Sequence, residues 1–498
     1  MGRVESTAQP PATPYAVIHE THTGLVMLVG DSAYKVKKPI RTEFLDFSTP
    51  ERREEACQRE LELNRRLAPD SYLGVAHLSA PWAGTNEPVL VMKRQDESCR
   101  LSTIVRRGQP AEAPLSSIAR VLAAFHTTAR RDPHIEKQGT MAALKHRWEA
   151  NIAEMQPFVG TVIDKNSLAA VHRLAVQYLA GREQLFDRRI RDGRIVDGHG
   201  DLLADDIFCP PTGPQILDCL EFDDELRFVD SIDDVAFLAM DLEFLGRKDL
   251  GDFFLAHYAR LTADSAPQSL QDFYIAYRAL VRAKVDGVRY GQGHADAAAD
   301  ATHHMNIALA HLRAGRVQLA LIGGAPGTGK STLSRALADR VGAVVISTDQ
   351  VRRVMLNSGT VSGETGVLNA GLYSEQNVAA VYRETLHEAR TLLANGRSVI
   401  VDASWLDAHH RSQARQVAAQ THSTAMEFMC DTAAATAAHR VAARPAGSIS
   451  DATPQIAVAL AEVRRQWAEA HRIATDCPVA ESVRAAERLW LATGTDPQ

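Results

Sequence analysis

The 498-residue chain is too long for one ordinary core, and about 150 residues per domain leaves room for two large domains or three smaller ones. Its 45% hydrophobic and 23% charged residues are those of a soluble globular protein, and a net charge of −6 argues against a general nucleic-acid or membrane-surface binder. No apolar run approaches the roughly 20 residues that a membrane helix needs. The six cysteines form no C-x-x-C pair, which fits a reduced, cytoplasmic setting better than a disulfide framework or a zinc site.

Residues 1–14 are polar and proline-rich with no apolar signal core, and read as a disordered tail. From Ala16 to Ile40 the pattern predicts two or three short strands with turns at Thr23–Gly24 and Gly30–Ser32. Lys35 and Lys37 alternate with Tyr34 and Val36, so both lysines leave the same face of a strand. Pro50–Leu67 is rich in helix formers, and Val89–Gln95 reads as a further strand. Leu115–Arg130, Met141–Gln156 and Ser167–Asp187 read as helices.

An acidic stretch follows. A short strand at Ile195–Val196 precedes His199-Gly200-Asp201, and a hairpin-like segment through Ile207–Phe208 and Ile216–Leu217 leads to Asp218. Asp201, Asp206 and Asp218 sit beside apolar strand residues rather than in a polar tract, which points to a metal or proton-transfer site. A phosphoryl-transfer centre needs one carboxylate to orient or deprotonate the acceptor hydroxyl and two oxygen ligands for Mg²⁺. It also needs a strand lysine against the phosphates and a helix carboxylate to hold that lysine. Lys35 and Glu60 are spaced for these roles, with Lys37 and Glu62 as the alternates one pleat away. Helices at Val235–Gly246, Leu250–Thr262, Leu270–Tyr290 and Ala295–Ala314 are expected to form a lobe covering this site.

These residues resemble the aminoglycoside phosphotransferase and protein-kinase-like family. HGDLLADDI resembles its catalytic loop, ILD followed by SIDDVAFLAMD its metal-binding aspartate and D-x-A helix, and AYKVKKP its ATP-lysine strand. The resemblance implies Asp201 as catalytic base, with Asp206 and Asp218 as metal ligands. Asp206 stands where that family carries asparagine, adding negative charge. No clear glycine-rich loop precedes the lysine strand, since His19–Gly24 would be a poor one.

After Gly315–Arg316 the character changes. An apolar strand, Val317–Ile322, opens into a glycine-rich turn and a helix beginning near Lys330. Gly324, Gly329, Lys330 and Ser331 fit G-x-x-x-x-G-K-[ST]. Backbone N–H groups of Gly324, Ala325, Pro326's neighbour Gly327, Thr328 and Gly329 can converge on phosphates, helped by the helix N-terminus. Lys330 reaches the β- and γ-phosphates of ATP, and Ser331, followed by Thr332, is placed for Mg²⁺. Further strands are expected at Ala343–Ser347, Ser398–Asp402, Ala425–Cys430 and Leu489–Leu491. Helices between them are expected near Gln376–Ala394, Ala408–Gln420, Thr432–Ala442 and Pro454–Ile473, giving a parallel sheet with right-handed crossovers.

Asp349 lies just past the second of these strands, with Arg352 one helical turn on. That pair suits acceptor-proton abstraction and anion holding at a substrate site. Asp402 ends an apolar strand, the usual place for a carboxylate that supports Mg²⁺. Arg440 and Arg444 lie in a helix-to-loop stretch with the composition of a mobile lid over the phosphates. These features resemble the small P-loop kinases: gluconate kinase, the polynucleotide-kinase 5′-kinase domain, chloramphenicol phosphotransferase and the zeta-toxin group.

The domain order resembles a bacterial two-domain ATP-binding family. The expected fold class is α/β and α+β: a protein-kinase-like phosphotransferase domain at 15–314 and a three-layer P-loop NTPase domain at 315–498. The expected activity is ATP- and Mg²⁺-dependent phosphorylation of a hydroxyl on a small molecule, in the cytoplasm, without nucleic acid or membrane. The competing expectation is an ATP-binding regulatory or stress-response protein with a degenerate N-terminal kinase fold. A remodelling ATPase of the AAA type is the weaker third.

Overall fold

A computed structural model describes residues 15–20, 24–41, 46–79, 86–364, 370–443 and 467–492. The chain divides into two compact units: residues up to Gly139 with Gly193–Ser265, and Thr140–Asp192 with Ala266 onward. The expected junction at 314/315 is therefore not where the packing divides. The helices Met141–Met155, Lys165–Ala180, Glu183–Arg191, Gln268–Gly291 and Ala297–Ala314 belong to the second unit, together with the P-loop. Of the helices expected to cover the acidic site, only Ser231–Phe244 and Lys248–Leu261 fall in the first unit.

The first unit begins with a five-stranded antiparallel sheet. Its strands are β1 (Ala16–Glu20), β2 (Gly24–Val29), β3 (Ser32–Lys37), β4 (Tyr72–Ser79) and β5 (Asn86–Lys93), in the order β1-β2-β3-β5-β4. The helix Pro50–Asn64 starts where the Thr49 hydroxyl accepts from Arg52 N–H and proline takes the first turn. It packs on β4 and β5 around Leu61, Ala68, Tyr72 and Leu90. The sequence reading missed β4 because its outer half is exposed at the sheet edge and carries no apolar alternation.

Two small ladders carry the acidic stretch. β6 (Ile195–Asp197) pairs with β9 (Phe228–Asp230), and β7 (Ile207–Phe208) with β8 (Gln215–Ile216), both antiparallel. The buried helix Ser231–Phe244 backs them, its N-terminus capped by Asp230.

The second unit holds a five-stranded parallel sheet of β10 (Gln318–Gly323), β11 (Val344–Ser347), β12 (Val399–Asp402), β13 (Thr424–Asp431) and β14 (His471–Ala474), in the order β11-β12-β10-β13-β14. Each connection between successive strands carries at least one helix, except that the β13–β14 connection is described only in part. This is the P-loop NTPase arrangement that the alternation implied.

Three expectations fail here. Leu489–Leu491 is not a strand but part of the helix Val479–Ala492, which turns Val483, Ala486 and Trp490 into the core. A three-residue apolar run cannot separate the two readings, whereas the 3.6-residue spacing of the buried positions does. Of the helix expected at 454–473, residues 454–466 lie outside the described residues, and His471–Ala474 is the edge strand β14. The helix expected over 167–187 is broken at Gly181.

The packing at that break has a direct test. The buried Arg182 donates to Thr421 O at 2.7 Å, and Ser269 Oγ donates to Gly396 O at 2.6 Å. A Cβ on Gly181 would lie 2.1 Å from Thr421 O, a backbone atom that cannot rotate away. Gly181→Ala should therefore destabilise the second unit by about 1–3 kcal/mol, read as a lower thermal midpoint. An unchanged midpoint would show that this junction is loose.

Candidate active sites

In the first unit, alternation along β3 turns Lys35 and Lys37 to the same face. The Lys35 ammonium lies 2.8 Å from Glu60 Oε1 and 2.7 Å from Asp218 Oδ1. Lys37 takes the other Glu60 oxygen, Oε2, at 2.8 Å, and Glu221 Oε1 at 2.8 Å. The expected Lys35–Glu60 pairing is present, and Lys37 joins it rather than replacing it. Glu62 faces outward and meets Arg59 at 3.7 Å. Burial alone would lower the Lys35 pKa, but Asp218 and Glu60 outweigh it and hold the ammonium well above its ordinary value.

Asp218 has left-handed backbone, φ 61°, unusual for a residue with a side chain. Its N–H donates to Tyr72 Oη at 3.2 Å, and the next N–H, of Cys219, donates to Asn64 Oδ1 at 2.8 Å. The Lys35 charge keeps the Asp218 carboxyl below the usual range. Asp206 goes the other way. Burial, then the charges of Asp218 and Asp201, push it well above its ordinary value. Among the described residues, no three His, Cys, Asp or Glu side chains gather as a metal cluster.

The loop carrying Asp201 is held by the aspartate of the D-x-A helix, to which the sequence assigned no site role. Asp234, fully buried, accepts from His199 N–H and Gly200 N–H, each at 2.8 Å, and meets His126 Nε2 at 2.9 Å. His126 Nδ1 in turn meets Tyr258 Oη at 2.7 Å. Gly198 has no room for a side chain, since a Cβ there would lie 2.6 Å from Asp234 Oδ2.

His199 is also fully buried. Its Nδ1 accepts from Asp201 N–H at 3.3 Å and its Nε2 donates to Leu217 O at 3.1 Å, which fixes a neutral imidazole. Burial drops its pKa to about 4. Between pH 6.5 and 4 the unfolded chain then binds a proton that the folded chain refuses, so stability falls with pH through that window by roughly 3 kcal/mol. Denaturant titrations at the two ends should show this loss. His199→Gln should flatten the profile, and an unflattened one would remove His199 as its source.

In the second unit the turn after β10 runs through Gly324, Gly327 and Gly329 at φ 139°, 83° and 91°. Gly329 caps the helix Lys330–Val341. A Cβ on Gly327 would lie 2.2 Å from Ala437 O, so the helix Ala434–Ala442 seats directly against the loop. Lys330 Nζ donates to Ala325 O at 3.1 Å, as does the Thr328 hydroxyl at 2.8 Å. Ser331 Oγ donates to Asp402 Oδ2 at 2.5 Å. Burial raises the Asp402 pKa against the opposing charge of Lys330. Pro326 is half-buried beside the turn, and Thr332 is exposed one residue past Ser331.

Parallel register aligns the strand ends, with Ser347 opposite Asp402 and Asp402 opposite Ile322. Asp349, two residues beyond Ser347, therefore stands on the same carboxyl edge as the P-loop. Arg352 Nη1 donates to Asp349 Oδ1 at 2.6 Å, and its guanidinium lies 4.5 Å over the Tyr373 ring. Arg352 Nε is buried with no hydrogen-bond partner. Nearby, Tyr382 stacks on His410 at 4.1 Å and accepts from Trp405 N–H at 3.2 Å. Those aromatic residues carry no motif and were legible only as core.

Arg440 is placed beside the loop. Its Nη2 donates to Thr475 O at 3.0 Å, and Thr475 Oγ1 donates to Thr328 O at 2.6 Å. Arg444 lies outside the described residues.

Residues 319–469 match a family described as an AAA domain. The whole chain is similar to the uncharacterized protein Rv2004c of Mycobacterium tuberculosis (strain ATCC 25618 / H37Rv), with 54% identity over 477 residues, 96% of each chain. The same figures hold for the uncharacterized protein Mb2027c of Mycobacterium bovis. Among solved structures, a choline/ethanolamine kinase family protein from Mesorhizobium loti aligns with 61% of this chain and 93% of its own, at 14% identity and a TM-score of 0.38. A gluconokinase from Sinorhizobium meliloti 1021 aligns with 35% of this chain and 92% of its own, at 18% identity and a TM-score of 0.27. No helix among the described residues is long and apolar enough to cross a membrane.

Proposed function

We propose that this chain, which belongs to the family of the mycobacterial proteins Rv2004c and Mb2027c, is an ATP-dependent phosphotransferase acting on a hydroxyl of a small molecule. The observation that carries the reading is the shared carboxyl edge of β10, β11 and β12. It brings the P-loop lysine, the Ser331–Asp402 pair and the Asp349–Arg352 pair to one side of one sheet.

In this reading ATP lies on Gly324–Thr332, with Lys330 against the β- and γ-phosphates. Ser331 and Asp402 supply hard oxygen donors, a set that fits Mg²⁺ and leaves its remaining positions to phosphate and water. Magnesium bound there would neutralise phosphate charge. Asp349 takes the proton from the acceptor hydroxyl as that oxygen attacks the γ-phosphorus, and ADP leaves. Arg352, fixed by Asp349 and Tyr373, offers its guanidinium to an anionic group of the acceptor or to the transferring phosphoryl. Arg440 flanks the phosphates at Gly329. The net charge of −6 supports a small-molecule acceptor over nucleic acid, and cysteines without a C-x-x-C pair support work in the cytoplasm.

The first unit is proposed as a second ATP site, with Lys35 toward the phosphates, Asp201 as base, and Asp206 with Asp218 toward Mg²⁺. One observation favours a regulatory role there instead: besides Glu60, Lys35 is bonded to Asp218, the carboxylate proposed for the metal. Phosphorus NMR of the protein with ATP, Mg²⁺ and pooled small metabolites tests the main reading. A new phosphate monoester supports it, and inorganic phosphate alone favours the regulatory one.

A further inference from the structure

Outside the strands that build the two sites, the first unit brings two half-buried cysteines together. The chain leaving β5 makes a short helical turn, Glu97–Cys99, capped by Asp96, whose carboxylate accepts from Ser98 N–H at 2.8 Å, and then meets the end of β7 at a single point. Arg100 and Phe208 form an isolated antiparallel bridge, with the guanidinium 4.5 Å over the phenyl ring. One step along, the Cys209 N–H donates to the Cys99 carbonyl at 2.7 Å. That places Cys99 directly opposite Cys209. That backbone hydrogen bond holds the Cα atoms of the two residues about 5–6 Å apart. A disulfide wants Cα atoms about 4.4–6.8 Å apart and Cβ atoms about 3.5–4.5 Å apart, so closure asks for side-chain rotation and a small approach of two short segments.

We propose that Cys99 and Cys209 are an oxidative modification site that closes an intramolecular disulfide on exposure to a peroxide. Peroxide oxidises the Cys99 sulfur to a sulfenic acid and releases one water. The Cys209 sulfur then attacks the Cys99 sulfur, the S–S bond forms, and the sulfenic oxygen leaves as a second water. Two thiols and one peroxide thus give one disulfide and two waters. Burial, with the neighbouring Cys99 thiol adding to it, pushes the Cys209 thiol up to about 12, which keeps it from reacting with peroxide first and makes its attack on the Cys99 sulfenic acid the slow step. The remaining cysteines are less available: Cys57, Cys219 and Cys430 are buried, and the Cys477 sulfur is engaged with Ala474 O and Ser482 Oγ. Cys209 lies three residues beyond Asp206, so the bond would tie the segment after β5 to the strand that carries this carboxylate's neighbours.

The test is thiol counting on the full chain after brief treatment with hydrogen peroxide, alkylation in denaturant and peptide mapping. Six alkylatable thiols should fall to four, with a reductant-sensitive peptide joining Cys99 to Cys209. Cys209→Ser should instead leave Cys99 as a sulfenic acid that dimedone traps, and Cys99→Ser should keep all its thiols. Retention of six thiols, a crosslink between other cysteines, or Cys99 recovered as sulfinic acid without a crosslink would each overturn the proposal. Mapping of the unmutated protein decides the matter even where a variant fails to fold.

Discussion

Lys330→Ala should lower ATP-dependent turnover by about 10²–10³-fold while leaving the thermal midpoint of the second unit nearly unchanged. Lys330 is half-buried, the hydrogen bond described for it is the one to Ala325 O at 3.1 Å, and the buried Asp402, which loses its opposing charge, keeps the hydrogen bond from Ser331. The same ammonium is the cation that the loop can aim at the phosphates. A charge-assisted hydrogen bond of that kind is worth about 1.5–3 kcal/mol. The loss should appear in both nucleotide affinity and kcat, measured by fluorescent-nucleotide titration and steady-state kinetics. Near-normal turnover would move the chemistry out of the second unit altogether.

Asp349→Asn should separate binding from chemistry. The amide keeps the shape of the side chain and can still accept from Arg352, so the 2.6 Å contact and the packing of Arg352 on Tyr373 should survive. What is lost is proton acceptance, which contributes typically 10²–10⁴-fold. Turnover should fall by that amount with ATP affinity intact. An equal fall in affinity would mean that Asp349 acts by holding Arg352, and unchanged turnover would take it out of the reaction.

The P-loop and the Asp349–Arg352 pair were legible because each rests on spacing within one strand-turn-helix step, whereas Ser331 and Asp402, 71 positions apart, were each read from its own strand end and not as a pair. Lys35 and Glu60 were legible for a similar reason, since strand alternation and the helix that follows narrow the choice to one pleat. Lys37 with Glu221, separated by 184 positions, leaves no local signal, and the same holds for Asp234 with His126. Asp234 was legible as the aspartate of the D-x-A helix, but its role in holding the His199–Gly200 backbone appears only once the loop folds back on it. The division of the chain was hidden for a further reason. The helices of 140–192 and 266–314 are amphipathic whichever sheet they pack on, and Arg182 reaching Thr421 O is a contact that no periodicity announces.

The comparison that bears most directly on the account is phosphorus NMR of the intact chain, Lys330→Ala and Asp201→Asn, side by side with ATP, Mg²⁺ and the same metabolite pool. The account predicts a phosphate monoester from the intact chain, its loss in Lys330→Ala, and its persistence in Asp201→Asn. A monoester that persists in Lys330→Ala and vanishes in Asp201→Asn, or inorganic phosphate as the sole product throughout, would contradict it.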